Sequence, residues 1–229
     1  MTVIDKLATS LKERSDIPNL GLLSRKDTTM RTMKLVLPVA LAILFGGCLV
    51  MSLHPFFTDT DSVLEKSMIG AWTDKDGKAT LEFRQFGANA YRVTYLQREV
   101  LSSPGGKKQI GEPGEFEGHV GRIGGTLFLD LYPDKDSWNR LKNDALAVHL
   151  VPTHTISKVW VEGDKLMVAS LDHDWLKDLL TKDQAAIAHE MVEGSIVLTA
   201  STESLQELLR KCAGEPKAFP NVDEFHRQN

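Results

Sequence analysis

The chain has two cysteines in 229 residues, Cys48 and Cys212. At most one disulfide can form, and a disulfide-stapled scaffold is excluded. Basic clusters are missing as well. Residues 1–47 carry seven Lys/Arg against four acids, leaving 20 basic and 27 acidic residues of the totals of 27 and 31 for the rest of the chain. An acidic body without a basic stripe argues against nucleic acid as a partner, because neutralising phosphates needs clustered Lys and Arg. No Gly-x-Ser-x-Gly elbow is present to present a serine nucleophile. Gly105-Gly106 is followed by lysines but by no helical pattern, so a phosphate-cradling loop is unsupported. The expectation is a protein that is not an enzyme, with no cofactor and no metal.

What the chain does have is one long uncharged run. Leu35–Leu53 is nineteen residues without a charge, interrupted only by Pro38, two glycines and Ser52. As a helix it would extend roughly 28 Å, about the hydrocarbon thickness of a bilayer, and it lacks the polar face of a soluble core helix. Arg31 and Lys34 precede it, while Asp59, Asp61 and Glu65 follow. The positive-inside bias therefore puts the N-terminus in the cytoplasm and the body across the membrane.

Two arrangements fit this run. Counted from Met30 or Met33, it has a short basic region, an apolar region and small residues before a cysteine, which is the layout of a signal peptide. Leu44-Phe45-Gly46-Gly47-Cys48 resembles the bacterial lipobox, with Phe45 where leucine is usual; the resemblance implies lipid attachment at Cys48. The rival is an uncleaved signal-anchor helix, favoured by Leu49, Val50 and Met51 continuing the apolar run past the cysteine. Either way the domain is membrane-anchored, on the extracytoplasmic side of the cell envelope.

The body reads as short strands. Gly70–Thr73 precedes an Asp74-Lys75-Asp76-Gly77 turn, and Ala79–Phe86 alternates Leu81 and Phe83 with Thr80, Glu82 and Arg84. Tyr91, Val93 and Tyr95 alternate with Arg92 and Thr94. Glu115–Arg122 and Thr126–Tyr132 form a hairpin around Ile123-Gly124-Gly125, and His154–Glu162 pairs with Lys165–Asp172 across Gly163-Asp164. Ser195–Ala200 is the eighth strand expected. Helical spacing predicts insertions over 134–148 (Trp138, Leu141, Ala145, Val148) and 174–190, and an amphipathic helix over Thr202–Ala213 ended by Gly214. The fold class is therefore mainly β: an eight-stranded antiparallel up-and-down meander barrel with helical insertions and a C-terminal helix, preceded by one N-terminal hydrophobic helix. The domain boundaries follow. Residues 1–32 are a cytoplasmic tail or a mis-assigned start, and 33–53 the signal peptide or anchor. Residues 54–69 are a linker with a short helix, 70–214 the barrel domain and 215–229 a flexible tail.

Gly70-Ala71-Trp72 on the first strand, the eight-strand meander and the closing helix resemble the lipocalin/calycin superfamily. More narrowly, residues 70–212 are similar to lipocalin-like domains of bacterial lipoproteins, through Glu115-Phe116-Glu117-Gly118-His119, Leu127-Phe128-Leu129-Asp130 and Leu171-Asp172-His173-Asp174-Trp175-Leu176. The resemblance implies that Trp72 plugs the barrel base, with Arg210 or Arg92 as the basic residue packed over it. By that analogy the barrel binds a small apolar or amphiphilic molecule. A filled barrel serving envelope structure or a protein partner is the alternative.

Candidate pocket residues are the aromatics Phe83, Tyr91, Tyr95, Phe116 and Trp160, which fit either an apolar lining or an ordinary core. Glu82, Arg84, Arg92, Thr94, Glu117 and Asp130 would line a polar interior if the other strand face pointed inward. His119, His149 and His154 offer three imidazoles, but the Pro152 link gives the last two no convergent spacing. Asp172-His173-Asp174 looks like a relay fragment, with Asp174 where a helix N-cap belongs. Cys212 reads as a buried small residue.

Overall fold

Period-two alternation sorts the body into an inside and an outside, and the strands join edge to edge until none of the eight barrel strands is left with a free edge. The computed structural model describes residues 49–98, 100–101, 108–109, 111–135 and 147–228. Cys48, the run before it, and Trp138, Leu141 and Ala145 lie outside the described residues.

In chain order the strands are β1 (Met51–Ser52), β2 (Gly70–Asp74), β3 (Ala79–Phe86), β4 (Ala90–Gln97), β5 (Val100–Leu101), β6 (Lys108–Gln109), β7 (Gly114–Ile123), β8 (Thr126–Pro133), β9 (His154–Glu162) and β10 (Lys165–Ser170). Helix α1 (His173–Lys182), strands β11 (His189–Val192) and β12 (Ser195–Leu198), helix α2 (Thr202–Cys212) and strand β13 (Val222–Arg227) complete the order. Strands β2, β3, β4, β7, β8, β9, β10 and β13 form a closed antiparallel barrel, each paired to the next and β13 returning to β2. Closure removes the exposed edges of an open sheet.

Two expectations need correction. Ser195–Leu198 is not the eighth barrel strand: it pairs in parallel with β1 and antiparallel with β11, in a side sheet that branches from β9. The eighth strand is Val222–Arg227, in the stretch expected to be a flexible tail. It lies between β10 and β2, with Leu166 opposite Phe225 and Trp72 opposite Arg227. Phe225 is the one apolar side chain this strand turns inward, too sparse a pattern for alternation to reveal. Residues 54–69, read as a linker with a short helix, contribute side chains to both hydrophobic cores. Phe56 and Met68 are fully buried, and the short helix expected within 54–69 is a single 3-10 turn, Lys66–Met68.

The described residues form two hydrophobic cores. One fills the barrel with Met68, Trp72, Leu81, Phe83, Tyr91, Val93, Val120, Leu129, Val159, Leu166 and Phe225. The other lies outside the wall, where α1, α2 and β12 cover the outer faces of β8, β9 and β10 with Phe56, Phe128, Ile156, Ala169, Leu176, Leu205 and Leu209. Fully burying a leucine is worth about 1.5–3 kcal/mol, so the leucine face of α2 holds it firmly against the wall. Ser201 caps α2 by accepting from the Ser204 amide, and Asp172, not Asp174, caps α1 by accepting from the Trp175 amide at 2.8 Å. No helix among the described residues is long and apolar enough to cross a membrane.

Candidate functional site

The barrel has a plugged end, at Trp72, and an opposite mouth, where β4, β8 and β13 meet the rim. At the plug, Trp72 is fully buried and its indole Nε1 donates to the Met68 carbonyl at 2.8 Å. The guanidinium of Arg227 lies over the indole, 4.1 Å from the ring centroid. It also donates to the carbonyls of Ile69 (2.9 Å) and Ser67 (2.6 Å), so it joins the 3-10 turn to the last strand. The residue over the tryptophan is therefore Arg227. Arg210 is exposed on α2, and Arg92 faces outward to Asp134 at 3.2 Å. The glycine of Gly-x-Trp has a physical reason: Gly70 has φ +133, and a Cβ there would stand 2.8 Å from Arg227 Nη1.

Register places every sequence-derived pocket candidate. Phe83 and Tyr91 point inward near the plug, edge to face at 5.9 Å and fully buried. The Tyr91 hydroxyl accepts from the Glu65 amide (2.6 Å) and donates to the Glu65 carbonyl (3.1 Å), and burial pushes its pKa up to about 12. These two rings belong to the plug. Tyr95 and Phe116 also point inward but lie towards the mouth, half-buried, with Leu131 and Val168. Trp160 lies on the outer wall, where its Nε1 donates to Glu162 at 2.9 Å. The polar alternates Glu82, Arg84, Arg92, Thr94, Glu117 and Asp130 all face outward, because Leu81, Phe83, Val93, Phe116 and Leu129 occupy the inward positions of their strands.

Two carboxylates edge the mouth. Asp74 and Asp223 share the inward faces of β2 and β13 with Trp72 and Phe225. Asp74 Oδ1 accepts from the Lys78 and Ala79 amides at 2.7 and 3.0 Å, which fixes it in the turn. Burial, and then the nearby Asp74 charge, hold the Asp223 carboxyl above its usual range. Burial and the same two carboxylates raise Tyr95. Asp223 sits in the stretch read as a tail, so no sequence pattern pointed to it.

The histidines fall into a different arrangement, on the outer wall under residues 54–63. His119 Nε2 is 2.9 Å from Glu117, its Nδ1 is 3.3 Å from Ser62 Oγ, and its ring stacks on Phe57 at 4.1 Å. Next to it, Asp130 is 1 % exposed and contacts His154 Nδ1 at 2.6 Å, with the Tyr132 ring over the imidazole at 4.4 Å. Burial raises the Asp130 carboxyl against the pull of His154 and the Phe56 amide. Ser62, His119 and Glu117 have the residue types of a hydrolytic relay. Yet the amides of Ser62 and Val63 are both engaged, by the carbonyls of Thr58 and Val120, and so offer no pair of donors for an oxyanion beside the serine. The cluster instead clasps the 54–63 segment to the wall. His149 is exposed in a loop away from this pairing, and no three metal-ligating side chains converge among the described residues. In Asp172-His173-Asp174, the histidine Nε2 donates to the Gly194 carbonyl at 3.0 Å and Asp174 is exposed, so the relay fragment is a helix start.

Residues 73–75, 77, 98 and 226–228, with Asp74 of the mouth rim among them, border an open hollow of about 470 Å³ beside the turn between β2 and β3. No protein-family model matches the chain, nor does any curated protein or solved structure.

Proposed function

We propose that this protein is a membrane-tethered, extracytoplasmic barrel that takes up a small apolar or amphiphilic molecule at the mouth opposite Trp72. The observation that carries the reading is the gradient of packing along the interior. Near the plug Phe83, Tyr91, Val93 and Val120 are fully buried, whereas Tyr95, Phe116, Leu131 and Val168 towards the mouth are only partly covered. An apolar tail would lie among these four, and a polar head carrying donors or positive charge would meet Asp74 and Asp223 at the rim. The site is shallow, since the lower barrel is filled.

That filling also favours a second reading, a structural or protein-interaction domain of the envelope whose barrel holds no ligand. Native mass spectrometry of the chain extracted from its own membrane separates the two. The ligand reading expects an amphiphile that leaves only on denaturation, on a chain that starts at acylated Cys48. A barrel that is ligand-free under gentle extraction and gains no mass with added lipids contradicts it. A full-length, unacylated chain removes the Cys48 attachment.

A further inference from the structure

The end of the uncharged run is built into the barrel domain, and it brings an apolar face with it. Burial alternates along residues 49–53: Val50 and Ser52 are 4 % and 1 % exposed, Leu53 is 39 %, and Leu49 and Met51 are half-buried. Val50 belongs to the outer core, so Leu49, Met51 and Leu53 occupy the opposite face of this short extended segment. Strand register widens that face. Met51 stands opposite Val197 of β12, and Val192 of β11 stands opposite Ser195, two places earlier on the same face. Val192 is 53 % exposed, at a tight hairpin whose turn residues Glu193 and Gly194 both have positive φ. Glu190, opposite Val197, marks the polar border. On its other side Met51 stands opposite Thr155 of β9, which pairs with Leu131 at an interior-face position towards the mouth. The aliphatic strip and the barrel mouth are therefore neighbours.

We propose that the face formed by Leu49, Met51, Leu53, Val192 and Val197 rests on the bilayer, so that the barrel mouth opens beside the membrane surface. The proposal rests on the tethered reading above. Its occupant follows from where the chain goes. Residues 50–53 are committed to the folded domain, so no polar hinge separates Cys48 from it; three residues join Cys48 to Met51, roughly 10 Å when extended. A lipid at Cys48 would hold this particular face at the headgroups. The same commitment leaves fifteen uncharged residues, Leu35–Leu49, roughly 22 Å as a helix and short of the ~30 Å hydrocarbon core. That length suits the apolar region of a signal peptide better than a spanning anchor.

The test places a benzophenone amino acid at position 192 or 197 of the full chain, with controls at Arg84 on the far wall and Asp178 on α1. The protein is reconstituted in phosphatidylethanolamine/phosphatidylglycerol vesicles, irradiated, and its adducts identified by mass. The proposal expects phospholipid adducts at 192 and 197, several-fold more than at 84 and 178. Equal or reversed yields on vesicle-bound protein overturn the orientation and leave the tether standing. Adducts at 192 to a second copy of the chain overturn it in favour of self-association. If the chain washes off vesicles in alkaline carbonate, the tethered reading fails and the orientation with it.

Discussion

The Arg227 guanidinium lies over Trp72, 4.1 Å from its ring centroid, with its two outer nitrogens on the carbonyls of Ile69 and Ser67. The first strand, the turn before it and the last strand thus meet in one residue. Arg227→Ala removes a cation–π contact and two charged hydrogen bonds and is expected to destabilise the barrel by about 3 kcal/mol. Arg210→Ala, on an exposed helix position, is expected to stay within about 0.5 kcal/mol of the parent. Urea unfolding of both variants checks this; equal costs would put the analogy's Arg210 back in contention.

Removing residues 222–229 tests closure itself. Without Val222–Arg227, β2 and β10 each lose a paired edge, and Phe225 leaves the core. The shortened chain is expected to lose its cooperative thermal transition and to aggregate. An unchanged calorimetric transition would mean that the other seven strands are sufficient.

Much of this architecture was legible in the sequence, and the misses share a cause. Strands with one buried face, such as β3 and β4, announce themselves through strict alternation of Leu81 and Phe83 or Tyr91, Val93 and Tyr95 with polar residues. On β8 the signal fails, because Phe128 and Leu129 are both buried, one in the outer core and one inside the barrel. Aromatics on both faces therefore gave no inside. The mouth-side pair Tyr95 and Phe116 could be named from residue type, but the separation of Phe83 and Tyr91 into the plug depends on depth along the barrel, which period-two reading does not carry. Asp223 and Arg227 escaped because charged residues dominate β13, the composition of a loose tail. Leu49–Leu53 reads as the end of a membrane helix by hydropathy alone; its pairing with β9 and β12 is long-range.

Asp130 and His154 form a pair that is 1 % and 12 % exposed at the side chain. His154→Ala leaves a buried carboxylate with the distant Phe56 amide at 3.4 Å among its remaining partners. The expected cost is about 3 kcal/mol. Made in an Asp130→Asn background, the same change is expected to cost much less, since the charge has gone. Denaturant unfolding of the four-protein cycle measures the coupling, and additive costs would show that the pair is not a unit.

Asp223 supplies a pH dependence with a definite sign. Burial and Asp74 raise its carboxyl in the folded state. Its contribution to stability is therefore fully present below the unfolded-chain pKa of about 3.9 and is lost as pH rises through the raised folded value. Asp223→Asn is expected to melt higher than the parent at about pH 7, with the difference closing near pH 3. Thermal melts across that range decide it; a variant less stable at neutral pH would show that the ionised carboxylate has a stabilising partner.

Titration of the full chain with a fluorescent long-chain amphiphile bearing a cationic head is the most direct test of the proposed mouth site. Saturable binding at one site is expected, weakened at least roughly tenfold by Phe116→Ala, equivalent to about 1.4 kcal/mol, and weakened by Asp223→Asn. Trp160→Phe on the outer wall should leave it unchanged. The absence of saturable binding, or binding that ignores Phe116 and responds to Trp160, would contradict a ligand site at the barrel mouth.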